Sequence, residues 1–243
     1  MKLLPSIPRS NPESPCLTFA PLAWLKIQFF CHAGDTEIGG FGISSEQNLL
    51  YIEDFVTVRQ RVTPFTVQFD DEAVADFFDQ CVDQGLRPEQ FSRIWCHTHP
   101  GASVTPSSID EETFARCFGR CDWSLMFILG RTARTYARLA FAAGPGGQIA
   151  LPTHVDWSVW PGFTKATLID HELEGWRKEH AANIHIRPAS LGDLVLPIGQ
   201  VATGEGEWWD GFPWHPELDA ITYKPTNGDS IREPADRNPA PRA

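Results

Sequence analysis

Cys96-His97-Thr98-His99-Pro100-Gly101 and, seven residues past the proline, Ser107-Ser108-Ile109-Asp110 decide how this chain is read. Phe91 to His97 is apolar and free of breakers, which predicts a buried strand. Alternate side chains of a strand share a face, so His97 and His99 point the same way and Thr98 points to the other. Pro100 and Gly101 end the strand and open a loop. Ser108 and Glu111 have the spacing of a capping box, so a helix starts here. Phe114, Cys117, Phe118 and Cys121 mark its apolar face. Asp110 lies one turn before Phe114 and shares that inward face. A carboxylate on an inward face is costly unless it is paired or holds a metal. Two strand-end histidines and one helix-start aspartate are therefore metal-ligand candidates, with Ser107 as a neighbouring hydroxyl.

The rest of the chain is arranged around this stretch. Leu22 to His32 is strongly apolar and reads mostly as a strand, with a helix possible at its start. Glu37 precedes Ile38-Gly39-Gly40-Phe41-Gly42, whose glycines permit close backbone approach, and a strand running to Ile43. Leu49 to Val58 and Phe65 to Phe69 are further strands. Asp70 and Asp71 cap a helix with Val74, Phe77, Phe78, Cys81 and Val82 on one face, and Gly85 stops it. Its outer face of Glu72, Asp76, Asp79 and Asp83 is solvated. Leu125 to Leu129 and Tyr136 to Ala142 are strands, with a turn at Gly144 to Gly147 and a further segment at Ile149 to Val155. The expected fold is α/β, a mixed sheet with helices against it, and not a regular doubly wound repeat. Residues 1–16, rich in Pro and Ser, form a loose lead-in, and 17–156 form the core domain. Residues 157–225 form a Trp-rich extension with a helix from Leu168 to Ala182 that turns Leu173 and Trp176 inward. Leu191 to Ile198 is a short strand or loop, and 226–243 a disordered tail.

Charge narrows the function. A net charge of −11 and an isoelectric point near 5.1 leave no basic footprint for nucleic acid or an anionic membrane. A secretory signal needs an apolar core of roughly 7–15 residues, which prolines 5, 8, 12 and 15 interrupt. No stretch approaches the about 20 apolar residues of a spanning helix. Cys81, Cys117 and Cys121 sit on predicted apolar helix faces. They read as reduced thiols used as small hydrophobes, so the expected compartment is the cytoplasm. His32, His154, His171, His180, His185 and His215 show no ligand spacing.

His97-x-His99-Pro100, followed at this interval by Ser107-x-x-Asp110, resembles the signature of the JAMM (MPN+) metalloproteases, in a bacterial-type version. Glu37, ahead of its glycine-rich strand, matches that family's upstream glutamate. Glu46 and Glu53 lie nearby but lack the glycines. The resemblance spans 17–156 by order of elements and implies a JAB/MPN-type, cytidine-deaminase-like fold. The Pro-Cys-x-x-Cys zinc half of the deaminases themselves is absent. It further implies Zn2+ held by His97, His99 and Asp110, with water in the open fourth position. Glu37 would then be the proton carrier and Ser107 an oxyanion donor, although Ser107 also suits a helix cap. The implied activity is isopeptide or peptide hydrolysis after the C-terminal tail of a ubiquitin-like protein, with activating or conjugating enzymes of the same pathway as partners. The alternatives are a zinc amide hydrolase acting on a sulfur-carrier adduct or cell-wall peptide, and a non-catalytic scaffold. Trp208, Trp209 and Trp214 read either as a covering segment or as a binding patch for substrate. The edge at Phe65 to Phe69 and the loop at Gly144 to Ile149 are candidates for a groove that takes the tail as an added strand.

Overall fold

The computed structural model describes residues 15–160 and 165–188, without the side chains of 165–169. Most of the predicted lead-in, the segment Leu191 to Ile198, Trp208, Trp209, Trp214 and the tail 226–243 lie outside the described residues. The chain forms β1 (Leu17–Phe19), α1 (Pro21–His32), β2 (Ile38–Ser44), β3 (Tyr51–Val56), β4 (Gln60–Val62) and β5 (Val67–Phe69). Then come α2 (Asp71–Asp83), α3 (Pro88–Phe91), β6 (Ile94–His99), α4 (Ser108–Phe118), β7 (Trp123–Gly130) and β8 (Thr135–Phe141). β9 (Gly147–Ala150), β10 (Thr153–Val155), α5 (Lys165–Asn183) and β11 (Ile184–Ile186) follow among the described residues.

Eight strands form one mixed sheet in the order β10-β1-β3-β2-β6-β7-β8-β9. β9 and β10 stand at opposite ends of that order, yet only Leu151 and Pro152 join them. The sheet therefore curls until its ends almost meet. The Leu151 N–H donates to the Ala137 carbonyl at 2.9 Å, and the Pro152 carbonyl accepts from the Leu17 N–H at 2.9 Å, so the linker stitches both ends. A second sheet runs β11-β4-β5.

Strand alternation sorts the side chains into two layers. Ile94 and Cys96 of β6 and Leu125, Phe127 and Leu129 of β7 join α1 residues Ala23, Ile27 and Phe30 in one core. Trp95 of β6 and Met126 and Ile128 of β7 join Phe114 and Phe118 of α4 in the other. Phe41, stacked on Phe77 of α2 at 5.3 Å, extends this second core. Helices thus lie on both faces of a curled sheet, an α/β architecture. Among the described residues no helix is long and apolar enough to cross a membrane.

Several sequence expectations are corrected. Leu22 to His32 is the helix α1, not a strand. Pro21 at its first turn is preorganised for a helix, and a run apolar on nearly every side carries no period to read. With α1 the core holds more than the two helices expected. Phe91 closes α3, and β6 starts only at Ile94. The cap of α4 sits one residue earlier than the Ser108–Glu111 spacing proposed: Ser107 is the N-cap and Asp110 its partner. Cys117 is exposed and Cys121 half-buried, so neither is the core thiol expected of it. Val82 of α2 is likewise exposed. Ile149 to Val155 is two strands, split at Pro152, which has no N–H for a ladder. β1, β4 and β11, of three residues each, are too short to leave a pattern. α2 begins at its Asp70 cap as expected, and Gly85 beyond it has the positive φ of 83° that favours glycine.

α5 packs on α1 through Trp176, whose ring lies 5.8 Å from that of Phe29. Glu179 accepts from the Thr57 N–H and hydroxyl, both at 2.8 Å, and pairs with Lys26 at 2.9 Å. β11 then pairs with β4 in parallel.

The close approach of β2 to β3 depends on a missing side chain. A Cβ at Gly40 would overlap the Val56 carbonyl oxygen and lie 2.6 Å from the Phe55 ring. Backbone cannot yield as a flexible side chain does, so Gly40→Ala is expected to cost about 1–3 kcal/mol. Gly34→Ala, with nothing within 4 Å, should stay within about 0.5 kcal/mol of wild type. Urea unfolding of both variants checks this.

Candidate metal centre

Three polypeptide segments meet at the C-terminal end of β6. The pleat of β6 turns His97 and His99 onto the α4 side, where the His97 ring stacks on Trp95 with centroids 4.3 Å apart. Thr98 points the other way, and its Oγ accepts from the Ile38 N–H at 3.1 Å. α4 supplies Asp110 from its first turn. The Asp110 Oδ2 accepts from the Ser107 N–H at 2.7 Å and from the Ser107 hydroxyl at 2.8 Å, while the Ser107 Oγ accepts from the Asp110 N–H at 3.2 Å. The reciprocal cap therefore fixes the carboxylate in place.

His97 Nε2 lies 3.3 Å from Asp110 Oδ1, and His99 Nε2 lies 3.6 Å from Asp110 Oδ2. One ligand atom from each of His97, His99 and Asp110 falls within 4.8 Å of the others. All three residues are buried, His97 fully and His99 at 9% exposure. Among the described residues, both ring nitrogens of His97 and the Nε2 of His99 have no partner in hydrogen-bond geometry. Buried polar atoms normally have one, so orphans gathered at one point call for an explanation. The Nδ1 of His99 faces the Ser103 carbonyl at 3.0 Å. A carbonyl only accepts, so Nδ1 carries the hydrogen and Nε2 presents its lone pair toward Asp110. Two imidazole lone pairs and a carboxylate form the donor set of a divalent transition-metal site, and this buried group can hold a metal ion.

Glu37 joins the cluster from an earlier segment. It is 6% exposed, and its Oε1 lies 3.7 Å from His99 Nε2. Its N–H donates to the Thr63 carbonyl at 2.9 Å. Glu46 and Glu53, the other acids near in sequence, are exposed.

The electrostatics follow from burial and mutual charge. Burial pushes the Glu37 carboxyl up to about 8; His99 opposes this and Asp110 adds to it. Burial also raises Asp110, but the two imidazoles and the Ser107 N–H outweigh it and hold its carboxyl well below the usual range. Burial pulls His97 down, against the neighbouring Asp110 charge. For His99 burial acts in the same direction, yet Asp110 and Glu37 together lift it above its ordinary value. The group thus presents a carboxylate, a neutral ring and a proton-holding acid within a few ångströms.

Two supporting residues escape the sequence reading. Arg131 donates to the Gly34 carbonyl and, at 2.8 Å, to Asp35 Oδ1, while its own N–H donates to the Gly101 carbonyl at 3.1 Å. It ties the loop ahead of Glu37 to the loop behind His99. Arg138 grips Glu111 through two bonds of 2.8 and 2.6 Å and lies over Phe114, holding the first turn of α4 against β8. A lone arginine inside the apolar run of β8 is the signal that could have pointed to it. Nothing local marks Arg131, because its side-chain partners Gly34 and Asp35 lie 97 and 96 residues away.

The raised Glu37 carboxyl has a consequence for the metal-free protein. The folded state binds this proton more tightly than the unfolded chain, so the stability it contributes is present below pH 4.5 and is lost as pH rises through about 8. Thermal unfolding in chelator is expected to show the melting temperature falling across that window in wild type, with a flatter profile in Glu37→Gln. Parallel profiles would show that Glu37 is not desolvated.

No protein-family model and no curated protein matches this chain.

Proposed function

We propose that this chain is a zinc-dependent hydrolase of the JAMM (MPN+) type, cleaving the amide bond that follows the C-terminal tail of a ubiquitin-like protein. One observation carries the reading: buried His97 and His99 with imidazole nitrogens unpartnered among the described residues, facing a buried Asp110, and a desolvated Glu37 3.7 Å from His99. The sequence intervals of the JAMM signature supply the family.

His97, through a ring nitrogen, the Nε2 of His99 and the Asp110 carboxylate would hold the ion. When bound, zinc supplies a Lewis acid that polarises a carbonyl and lowers the pKa of a water to about 7. Glu37 accepts the proton of the attacking water at Oε1 and returns it to the leaving amine, serving as base and then as acid. Its burial suits both steps, because a desolvated carboxyl takes and gives a proton near neutrality, and a neighbouring cation shifts that balance toward the base form. The Ser107 hydroxyl has one hydrogen, now given to Asp110; to stabilise a developing oxyanion it turns that hydrogen outward. Trp95 stacked on His97 and the Ser103 carbonyl on His99 keep both rings in their orientations.

An extended tail suits the edge of β5. It is the outer strand of β11-β4-β5, with Phe65 44% exposed at its entrance. β5 packs on β2 beside Gly39, two residues from Glu37. The β9 edge, where Ile149 is exposed, is the other candidate for the tail. Activating or conjugating enzymes of the same pathway are the expected functional partners.

The purified chain is expected to bind about one zinc ion and to cleave a linear fusion of a ubiquitin-like protein, with chelator abolishing cleavage. His97→Ala and Asp110→Ala should lose the metal. Glu37→Gln should keep it and lose about 10²–10⁴-fold in turnover. Equal cleavage of a short peptide without the modifier would favour the other amide hydrolase. A zinc-loaded protein inert toward both would favour the scaffold, and a chain indifferent to zinc would defeat the reading.

A further inference from the structure

β2 carries the residues beside Glu37, and among the described residues its first half has no neighbouring strand on one side. β3 pairs with β2 only from Phe41 onward, opposite Val56. Gly39 lies opposite His97 on the β6 side. Its N–H and C=O both face away from β6, since the two groups of one residue in an antiparallel strand point to the same side. Gln60 occupies the empty side. Its Oε1 accepts from the Gly39 N–H at 2.9 Å, and its Nε2 donates to the Gly39 carbonyl at 2.8 Å and to the Val58 carbonyl at 2.9 Å. Gln60 is 1% exposed. The carbonyl of Thr63, just past the other end of the same short strand, takes the Glu37 N–H. Val67 and Phe69 of the hairpin then press on Gly39, where a Cβ would lie 2.8 Å from Val67 Cγ1.

We infer that Gln60 is a positioning residue: its carboxamide stands in for a strand along Gly39 and holds Glu37 at its distance from His99, without touching the reacting atoms. The inference rests on the proposed role of Glu37 as proton carrier. A carboxamide offers one donor edge and one acceptor edge, the pair that a strand residue presents. Here both edges are spent on the strand that delivers Glu37. β4 is itself held on both sides, by β5 and by β11 across Ile184↔Gln60. The clamp is therefore anchored to rigid backbone rather than to a loop. His97, His99 and Asp110 are positioned independently by β6 and α4, so loss of Gln60 displaces the acid and leaves the ligands in place.

The test uses the full chain, ¹⁵N-labelled, metal-free and loaded with cobalt(II). In metal-free Gln60→Met the Gly39 and Glu37 amides are expected to exchange at least about tenfold faster, while amides of β7 keep their rates. Cobalt should bind within about threefold of wild type, a smaller change than the loss of a partner bonded directly to a ligand. Its visible spectrum should move to that of Glu37→Gln, and adding Gln60→Met to Glu37→Gln should move it no further. Unchanged exchange at both amides, or spectral changes that add in the double variant, overturns the inference. Gly39→Ala is the second variant. It keeps the Gln60 side chain but pushes the hairpin that carries it off the strand, and a folded Gly39→Ala with wild-type exchange and spectrum also overturns it. A wild type that takes no cobalt, or a spectrum indifferent to Glu37→Gln, defeats the proposed function instead. In that case exchange in the metal-free protein alone decides for or against the clamp.

Discussion

A carboxylate buried against two imidazoles sets the terms for the rest of this molecule. Asp110 cannot be dehydrated at tolerable cost unless something offsets its charge. Its reciprocal cap with Ser107 satisfies one oxygen and fixes its direction. Among the described residues, the His97 ring nitrogens and the His99 Nε2 opposite it have no partner in hydrogen-bond geometry. Two lone pairs and one negative charge converging on a point are complementary to a cation, and a second acid, Glu37, adjoins them. Such an arrangement is unfavourable as an empty cluster and favourable as a cage, which is why the donor set, more than any single residue, directs the functional reading.

The scaffold explains how the cage is held. β6 lies in the middle of the curled sheet and is buried along its whole length. Its alternation gives Cys96 and Thr98 to the α1 side and Trp95, His97 and His99 to the α4 side. The ligands therefore ride on a strand that cannot shift register without turning an apolar set outward. α4 follows β6 directly and delivers Asp110 from its first turn, where Arg138 and Glu111 fasten the helix to β8. Ligands on a central strand and a clamped helix start are more rigid than ligands on loops, and a metal site requires that rigidity.

Glu37 is held by a different device. It stands at the end of a loop, at the start of a strand whose outer neighbour is missing. Gln60 and Thr63 fill that gap, and the short sheet that carries them is completed by β11, from far along the chain. Arg131 secures the loop from the other side. The candidate metal ligands and Glu37 thus have separate supports.

Much of this arrangement is written in local order. His97 and His99 alternate on a strand, and Asp110 sits at a helix start bounded by a serine. Strand period, breakers and capping chemistry are properties of neighbouring residues, so these features can be read from one stretch. The α/β class follows in the same way from short apolar runs between capped helices. α1 could not be read, because a segment apolar on nearly every side has no period, and only its burial between α5 and the sheet makes it a helix. Cys117 was misread because its place on α4 depends on how far the neighbouring layer reaches. The roles of Gln60, Arg131 and β11 were beyond the sequence, since each acts on a partner far along the chain that only the tertiary fold brings close. Local order determined which side chains are candidates for the chemistry; the pairing of β2 with β6 decided that Glu37 faces His99, because contacts between distant segments are set by packing and not by spacing along the chain.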